Sequence, residues 1–275
     1  MHYNFFDYKH FIDYHGEDVF GTAHIVFILL ASLAIIVLPV LLRKTKEKNI
    51  DLLLKILSFV FPVLEAVKIT WESVWDIKIV HSFNWDGLLP LYTCSMFIFL
   101  LPFAAWGKGK LKRASIAWLS TIGIFSGLTN FFVPPILNTY PFWTMATFFS
   151  LHHHFWMVFT GVFLAVTGYY KAKWSDIFTA WIPLALFSLL VIPANYILQS
   201  LNFSPDYMLY MHGYGAPVLP QMSAFFIEHA LQFVYTLIML FGYMLISALF
   251  VCLHMAIRAL CRLIAKKPNP SKNSL

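Results

Sequence analysis

The sequence predicts an all-α fold, a polytopic membrane bundle of seven transmembrane helices. Three observations carry this. The 275 residues are 60% hydrophobic and only 12% charged, about half the charge of an ordinary soluble domain. Mean hydropathy is +0.71. The apolar residues gather into seven runs, each near the roughly 20 residues that cross a bilayer core. This length suits one compact bundle, expected over 1–265, with a polar cytoplasmic tail at 266–275. The 28 Phe and 9 Trp suit lipid-facing and interfacial surfaces. A net charge of +6 would point to nucleic acid in a soluble protein. Here the basic residues sit in short loops, so no nucleic-acid partner is expected. Cys94, Cys252 and Cys261 lie in or beside apolar runs and form neither a disulfide framework nor a zinc pattern. The first 20 residues are acidic and aromatic and lack the basic start of a cleavable signal peptide.

Residues 1–21 set Asp7, Asp13, Glu17 and Asp18 against Lys9, with aromatics that suit an interfacial segment. The first span is about 22–42, with His24 at its mouth. The second, about 50–71, carries Glu65 and Lys68 near its far end, before the interfacial Trp71, Trp75 and Trp85. The third, about 87–106, holds Cys94 in Leu89-Pro90-Leu91-Tyr92-Thr93-Cys94. Pro90 is expected in its first turn, where the missing N–H has no helical partner anyway. The fourth, about 114–133, ends in Thr129 and Asn130 before Pro134-Pro135. The fifth, about 142–168, contains His152-His153-His154. The sixth, about 176–198, ends with Asn195. A long connection over 199–222 leads to the seventh, about 223–249, which begins with Glu228-His229 and extends toward Arg258.

Loop charge orients the bundle. The 1–2, 3–4 and 5–6 loops and the C-terminal flank hold 4, 4, 2 and 5 Lys/Arg, which is 15 of 19. Lys9 and Lys78 fall on the other side; Lys55 and Lys68 fall within the second span. The N-terminus is therefore expected outside and the C-terminus in the cytoplasm, in a multi-pass protein of the cell membrane.

This orientation puts a polar group in the outer half of every span: His24, Glu65 with Lys68, Cys94, Asn130, His152, Asn195 and His229. At 1.5 Å per residue, Cys94 is about 10 Å and His152 about 16 Å below the outer end. The inner half reads as nearly pure Leu, Ile, Val and Phe. Ionisable groups in hydrocarbon pair or line a wet cavity. Glu65 and Lys68, three apart, can satisfy one another. A water-accessible pocket open to the outer leaflet accounts for the whole layer.

A thiol gains nucleophilic character from a base or positive surroundings; otherwise Cys94 is a small buried hydrophobe. Three successive histidines lie about 100° apart on a helix, so they cannot share one metal, and no two histidines on one span are four apart. No metal and no cofactor are expected. Phosphate-binding glycine loops and the G-x-S-x-G elbow are missing from the sequence.

Several landmarks together resemble the YwaF-like bacterial integral membrane proteins, a family related to the animal transmembrane protein 164 acyltransferase. They are Phe20-Gly21 with His24, Glu65, Leu89-Pro90-Leu91 with Cys94, Pro134, Phe148-Phe149 with His152, and Asn195-Tyr196 with Pro205. The resemblance covers nearly the whole chain. It departs at Tyr92-Thr93, where the bacterial pattern usually has His before Leu-Cys, and in the triple His. The resemblance implies Cys94 as nucleophile and His152 as base, with His153 the competing choice. The implied activity is acyl transfer between membrane phospholipids and lysolipids. A looser relation, to animal membrane lipid hydrolases using Thr with His, makes Thr93 a rival nucleophile. Glu65, Thr93, Asn130, Asn195, His24 and His229 are expected to support the site. A lipid hydrolase, or a small transporter or ligand sensor, is the alternative.

Overall fold

The computed structural model describes residues 5–6, 18–79, 81, 89–201, 225 and 232–265. Its described elements are helical throughout: α1 (Thr22–Leu41), α2 (Glu47–Ile79), α3 (Met96–Trp106), α4 (Gly109–Leu119), α5 (Ile122–Phe132), a 3-10 turn (Pro135–Asn138), α6 (Met145–Val166), α7 (Asp176–Ser200) and α8 (Gln232–Ala265). Among the described residues, five segments are long and apolar enough to cross a membrane: α1, the α4–α5 stretch, α6, α7 and α8. The chain is a multi-pass membrane protein. The expected extension of the last helix past Arg258 is present in α8.

The second span runs on as one helix to Ile79 rather than ending near 71, and two further spans differ from expectation in their backbone path. The third is regular only from Met96; Pro90 sits between Leu89 and Leu91 in a tight turn in which Leu91 N bonds Leu89 O at 2.8 Å. That is a γ-turn, which the fixed φ of proline suits. Residues 92–95 then form successive i→i−3 bonds, Ser95 N to Tyr92 O at 3.0 Å and Met96 N to Thr93 O at 3.3 Å. Cys94 thus lies in a turn before α3 and not inside a helix. The fourth span is cut in two at Ser120-Thr121, where Thr121 takes φ −134° and ψ −88°. His254 of α8 closes the gap with Nε2 at 2.7 Å from Ser120 O, meeting a carbonyl that the break released.

The half of the bundle away from Cys94, expected to be nearly pure Leu, Ile, Val and Phe, is also less apolar than that. Ser115, Ser120, Thr121, Thr160, Ser188 and Ser247 are buried there. Several turn back on their own helices, Thr121 Oγ1 donating to Ala117 O at 2.7 Å and Ser188 Oγ to Leu184 O at 2.9 Å. Ser115 Oγ does the same toward Leu111 O, a local bond open to a lone hydroxyl in an apolar run, whereas Ser120 Oγ, Thr160 Oγ1 and Ser247 Oγ are buried with no hydrogen-bond partner among the described residues.

Lipid tails are as apolar as leucine, so helices in a membrane associate by close packing rather than by hydrophobic force. The α5–α6 contact shows this. A Cβ on Gly161 would stand 2.4 Å from Leu119 O, and one on Gly127 would stand 2.6 Å from Val158 Cγ2. Both glycines let backbone approach backbone. Beside them Trp118, Leu119, Ile122, Met157 and Leu164 are fully buried.

The basic connections meet at one end. Lys112 pairs with Asp51 at 2.9 Å, and Tyr169 Oη donates to Asp51 Oδ1 at 2.5 Å. Arg113 grips Asp176 with two N–H groups and donates to Lys171 O at 2.8 Å. These bonds tie the 1–2, 3–4 and 5–6 connections together.

Candidate functional site

The opposite end holds the Cys94 turn. The third span is unwound there, so Thr93, Cys94 and Ser95 present themselves at the head of α3 rather than along its flank. The Cys94 side chain is half-buried and unoxidised. The Cys94 carbonyl receives His153 Nε2 from α6 at 3.1 Å. With Nε2 donating, the neutral ring keeps its lone pair on Nδ1. Phe61 and Phe97 stand edge-on to His153, at 5.6 and 5.5 Å between centroids, and fix its plane.

His152 is turned elsewhere. It lies between Phe148 and Phe61, stacked on both at 5.5 and 6.1 Å, and its Nε2 accepts the Trp156 indole N–H at 2.8 Å. His154 points a third way, Nδ1 on Ser150 O at 2.6 Å, and its buried Nε2 has no hydrogen-bond partner. The three rings follow the 100° step of the helix. It is His153 that meets the Cys94 turn.

Charge arrives from α2. Glu65 and Lys68 pair at 3.3 Å, the i,i+3 contact expected from their spacing. Both interact electrostatically with Cys94, and Glu72 acts on Lys68. Glu72 and Asp76 are buried on the same stripe; four charged positions at helical spacing was the signal that could have found them. From α8, Tyr243 Oη donates to Thr93 Oγ1 at 3.5 Å and also faces Ser126 and Cys94. Tyr243 and Ser126 were not singled out in the sequence, where a tyrosine and a serine in apolar runs carry no distinguishing pattern.

The remaining expected residues divide. Asn130 donates Nδ2 to Ser126 O at 3.1 Å, one turn back on α5. His24 is fully buried and occupied on both nitrogens: Nδ1 accepts Phe20 N–H at 3.1 Å and Nε2 meets Phe131 O at 3.3 Å. It caps the start of α1 and the end of α5 and is a tie between helices. Asn195 is fully buried on α7, whose neighbours are α4 and α8. His229 lies outside the described residues, as does most of the 199–222 connection. Among the described residues no group of three His, Cys, Asp or Glu is placed to hold a metal ion.

A family model described as the TMEM164 family matches residues 19–243. The chain belongs to the TMEM164 family. The match spans α1 through Tyr243, so it includes the Cys94 turn, the triple His and the α2 charges. No curated protein and no solved structure matches the chain. Family membership agrees with the resemblance carried by the Leu-Pro-Leu, Cys94 and Phe-Phe-His landmarks.

Proposed function

We propose that this member of the TMEM164 family is a cysteine-dependent lipid acyltransferase of the cell membrane, with its site in the outer half of the bundle. The observation that carries the proposal is the bond from His153 to the Cys94 turn, within a group of charged and hydroxyl side chains drawn from α2, α5 and α8. His153 replaces His152 as the base in this reading.

The chemistry is ordinary acyl transfer. Nδ1 of His153, the nitrogen left basic while Nε2 donates to the Cys94 carbonyl, turns to the thiol and takes its proton, and the thiolate attacks the carbonyl carbon of a phospholipid ester. The C–O bond breaks, the leaving lysolipid oxygen receives the proton from His153, and a thioester remains on Cys94. A lysolipid hydroxyl then gives its proton to His153 and attacks the thioester. The C–S bond breaks and the returning proton restores the thiol. Hydroxyls of Tyr243 and Thr93 are the donors offered to the oxyanion. Lys68 supplies positive charge beside the thiolate, held by Glu65. Water as acceptor gives hydrolysis by the same steps.

The test is a transfer assay in lipid vesicles with labelled phospholipid and lysolipid. Cys94→Ala abolishes transfer, His153→Ala lowers it about a hundredfold or more, and His152→Ala retains most of it. Full transfer by Cys94→Ala would sink the assignment. One observation favours the second reading, a small transporter or ligand sensor: the fourth span is broken at Ser120-Thr121, as spans of transporters often are. Unchanged lipids together with saturable uptake of a polar solute would favour it.

A further inference from the structure

A cavity of about 560 Å³ lies between the first halves of α1 and α6, at the same end of the bundle as Cys94. Ala23, Phe27 and Ala31 of α1 form one wall and Leu151, His152 and Phe155 of α6 the other. Between Ala23 and Ala31 the α1 wall runs about 12 Å at 1.5 Å per residue. Its volume falls in the range of ligand sites. The chain closes the end of this groove with its own backbone, Met145 N bonding Phe5 O at 2.7 Å.

We infer that this groove is a binding site for one acyl chain of a membrane glycerophospholipid. This deepens the acyl-transfer reading and rests on it. Three observations select the occupant. The lining is apolar except at His152, so the groove suits hydrocarbon and rejects a charged or strongly polar ligand. Its walls are two membrane-crossing helices, and a groove open along such helices is filled from the lipid around it. It also neighbours the Cys94 site, with the Phe61 ring standing between the two. That ring is buried at 3% exposure, stacks on His152 in the groove and stands edge-on to His153 at the Cys94 turn. His152 therefore acquires a role other than base. Its Nε2 is taken by Trp156, so in the neutral ring Nδ1 carries the proton and is the one donor this residue brings to an ester at the head of the chain.

The probe is a phosphatidylcholine carrying a diazirine near the end of one acyl chain, incorporated into vesicles with the full-length protein and photolysed. Labelling is expected to saturate, to be competed by unlabelled phosphatidylcholine, and to map to peptides covering 23–31 and 148–155. Ala31→Trp fills the groove and removes the berth of about two methylenes, which lowers labelling about tenfold. Leu190→Trp, on an exposed face of α7 where Leu190 is 69% exposed, leaves it unchanged. Cys94→Ala also leaves it unchanged, because the site binds without reacting; loss of transfer and loss of binding are thus read separately. If Ala31→Trp fails to fold, the mapped labels on the natural chain decide. Labels that do not saturate and spread equally over α7 and α8 would overturn the inference, as would labelling absent from the groove while a photoreactive residue at Phe27 captures a second copy of the chain.

Discussion

Gly161 is where the bundle tolerates least. An alanine Cβ there would stand 2.4 Å from Leu119 O and 2.4 Å from Ile124 Cγ1, about 1 Å inside the 3.5–4.0 Å of ordinary contact. Leu119 O belongs to the backbone just before the break in the fourth span, so it cannot swing aside as a side chain can. α6 must move away from the α4–α5 junction. Overpacking costs about 1–3 kcal/mol, and the fixed carbonyl puts this site near 3. Replacing glycine within a helix returns about 0.5–1 kcal/mol. The net loss is about 2 kcal/mol, which lowers a melting temperature by about 4–8 °C at this chain size. Gly242 is the control: nothing lies within 4 Å of its would-be Cβ, so Gly242→Ala keeps only the helical gain. Thermal unfolding of both variants in lipid nanodiscs reads the contrast. Gly161→Ala melting at or above the natural chain would refute the argument that backbone contact sets the α5–α6 packing.

Two further predictions concern the basic end. Asp176 is 1% exposed and Arg113 is 30% exposed, so removing the arginine strands the more deeply buried charge. Arg113→Ala costs about 3 kcal/mol, Asp176→Ala less because the freed guanidinium reaches water, and the double variant less than the sum; unfolding midpoints of the three give the order. Tyr169 and Tyr170, in the connection between α6 and α7, both hold their protons above the ordinary phenol range. Burial is the first cause for each. The hydrogen bond to Asp51 adds to it at Tyr169, and the negative charge of Asp176 at Tyr170. The folded chain thus binds these protons more tightly than the unfolded one, and their contribution is intact below about pH 10 and lost as pH rises beyond it. A double Tyr169→Phe, Tyr170→Phe variant should show a shallower alkaline decline in melting temperature; an identical decline counts against the assignment.

Much of the fold was legible because a membrane simplifies the problem. Long apolar runs have one economical solution, a helix, and α1, α6 and α7 begin and end within a few residues of their expected bounds. The two surprises share a cause. The tight turn at Pro90 and the break at Ser120-Thr121 leave the hydropathy of their runs untouched, so a reading based on apolar length passes over them. Beside each, a carbonyl is met by a partner far along the chain: His153 at the Cys94 carbonyl, His254 at the Ser120 carbonyl.

The site was half legible for the same reason. Depth along a span placed Cys94, Glu65, Lys68 and the histidine run in the same half of the bundle. Rotation about the helix axis was not readable, and it is rotation that separates His153 from His152. The helix phase relative to its neighbours is fixed by Phe61, Phe97 and the glycine contacts of α5, none of which announces its partner in the sequence. Tyr243 shows the limit most clearly: its relevance comes from Thr93, Cys94 and Ser126, all far from it along the chain.

The most direct measurement is the intact mass of purified protein in lipid after exposure to a phospholipid and a rapid acid quench. The account predicts a mass gain of one acyl chain on the natural chain, removable by hydroxylamine. The gain should disappear in Cys94→Ala, form slowly in His153→Ala and persist in His152→Ala. An adduct that survives Cys94→Ala, or one that depends on His152 and not on His153, would contradict it.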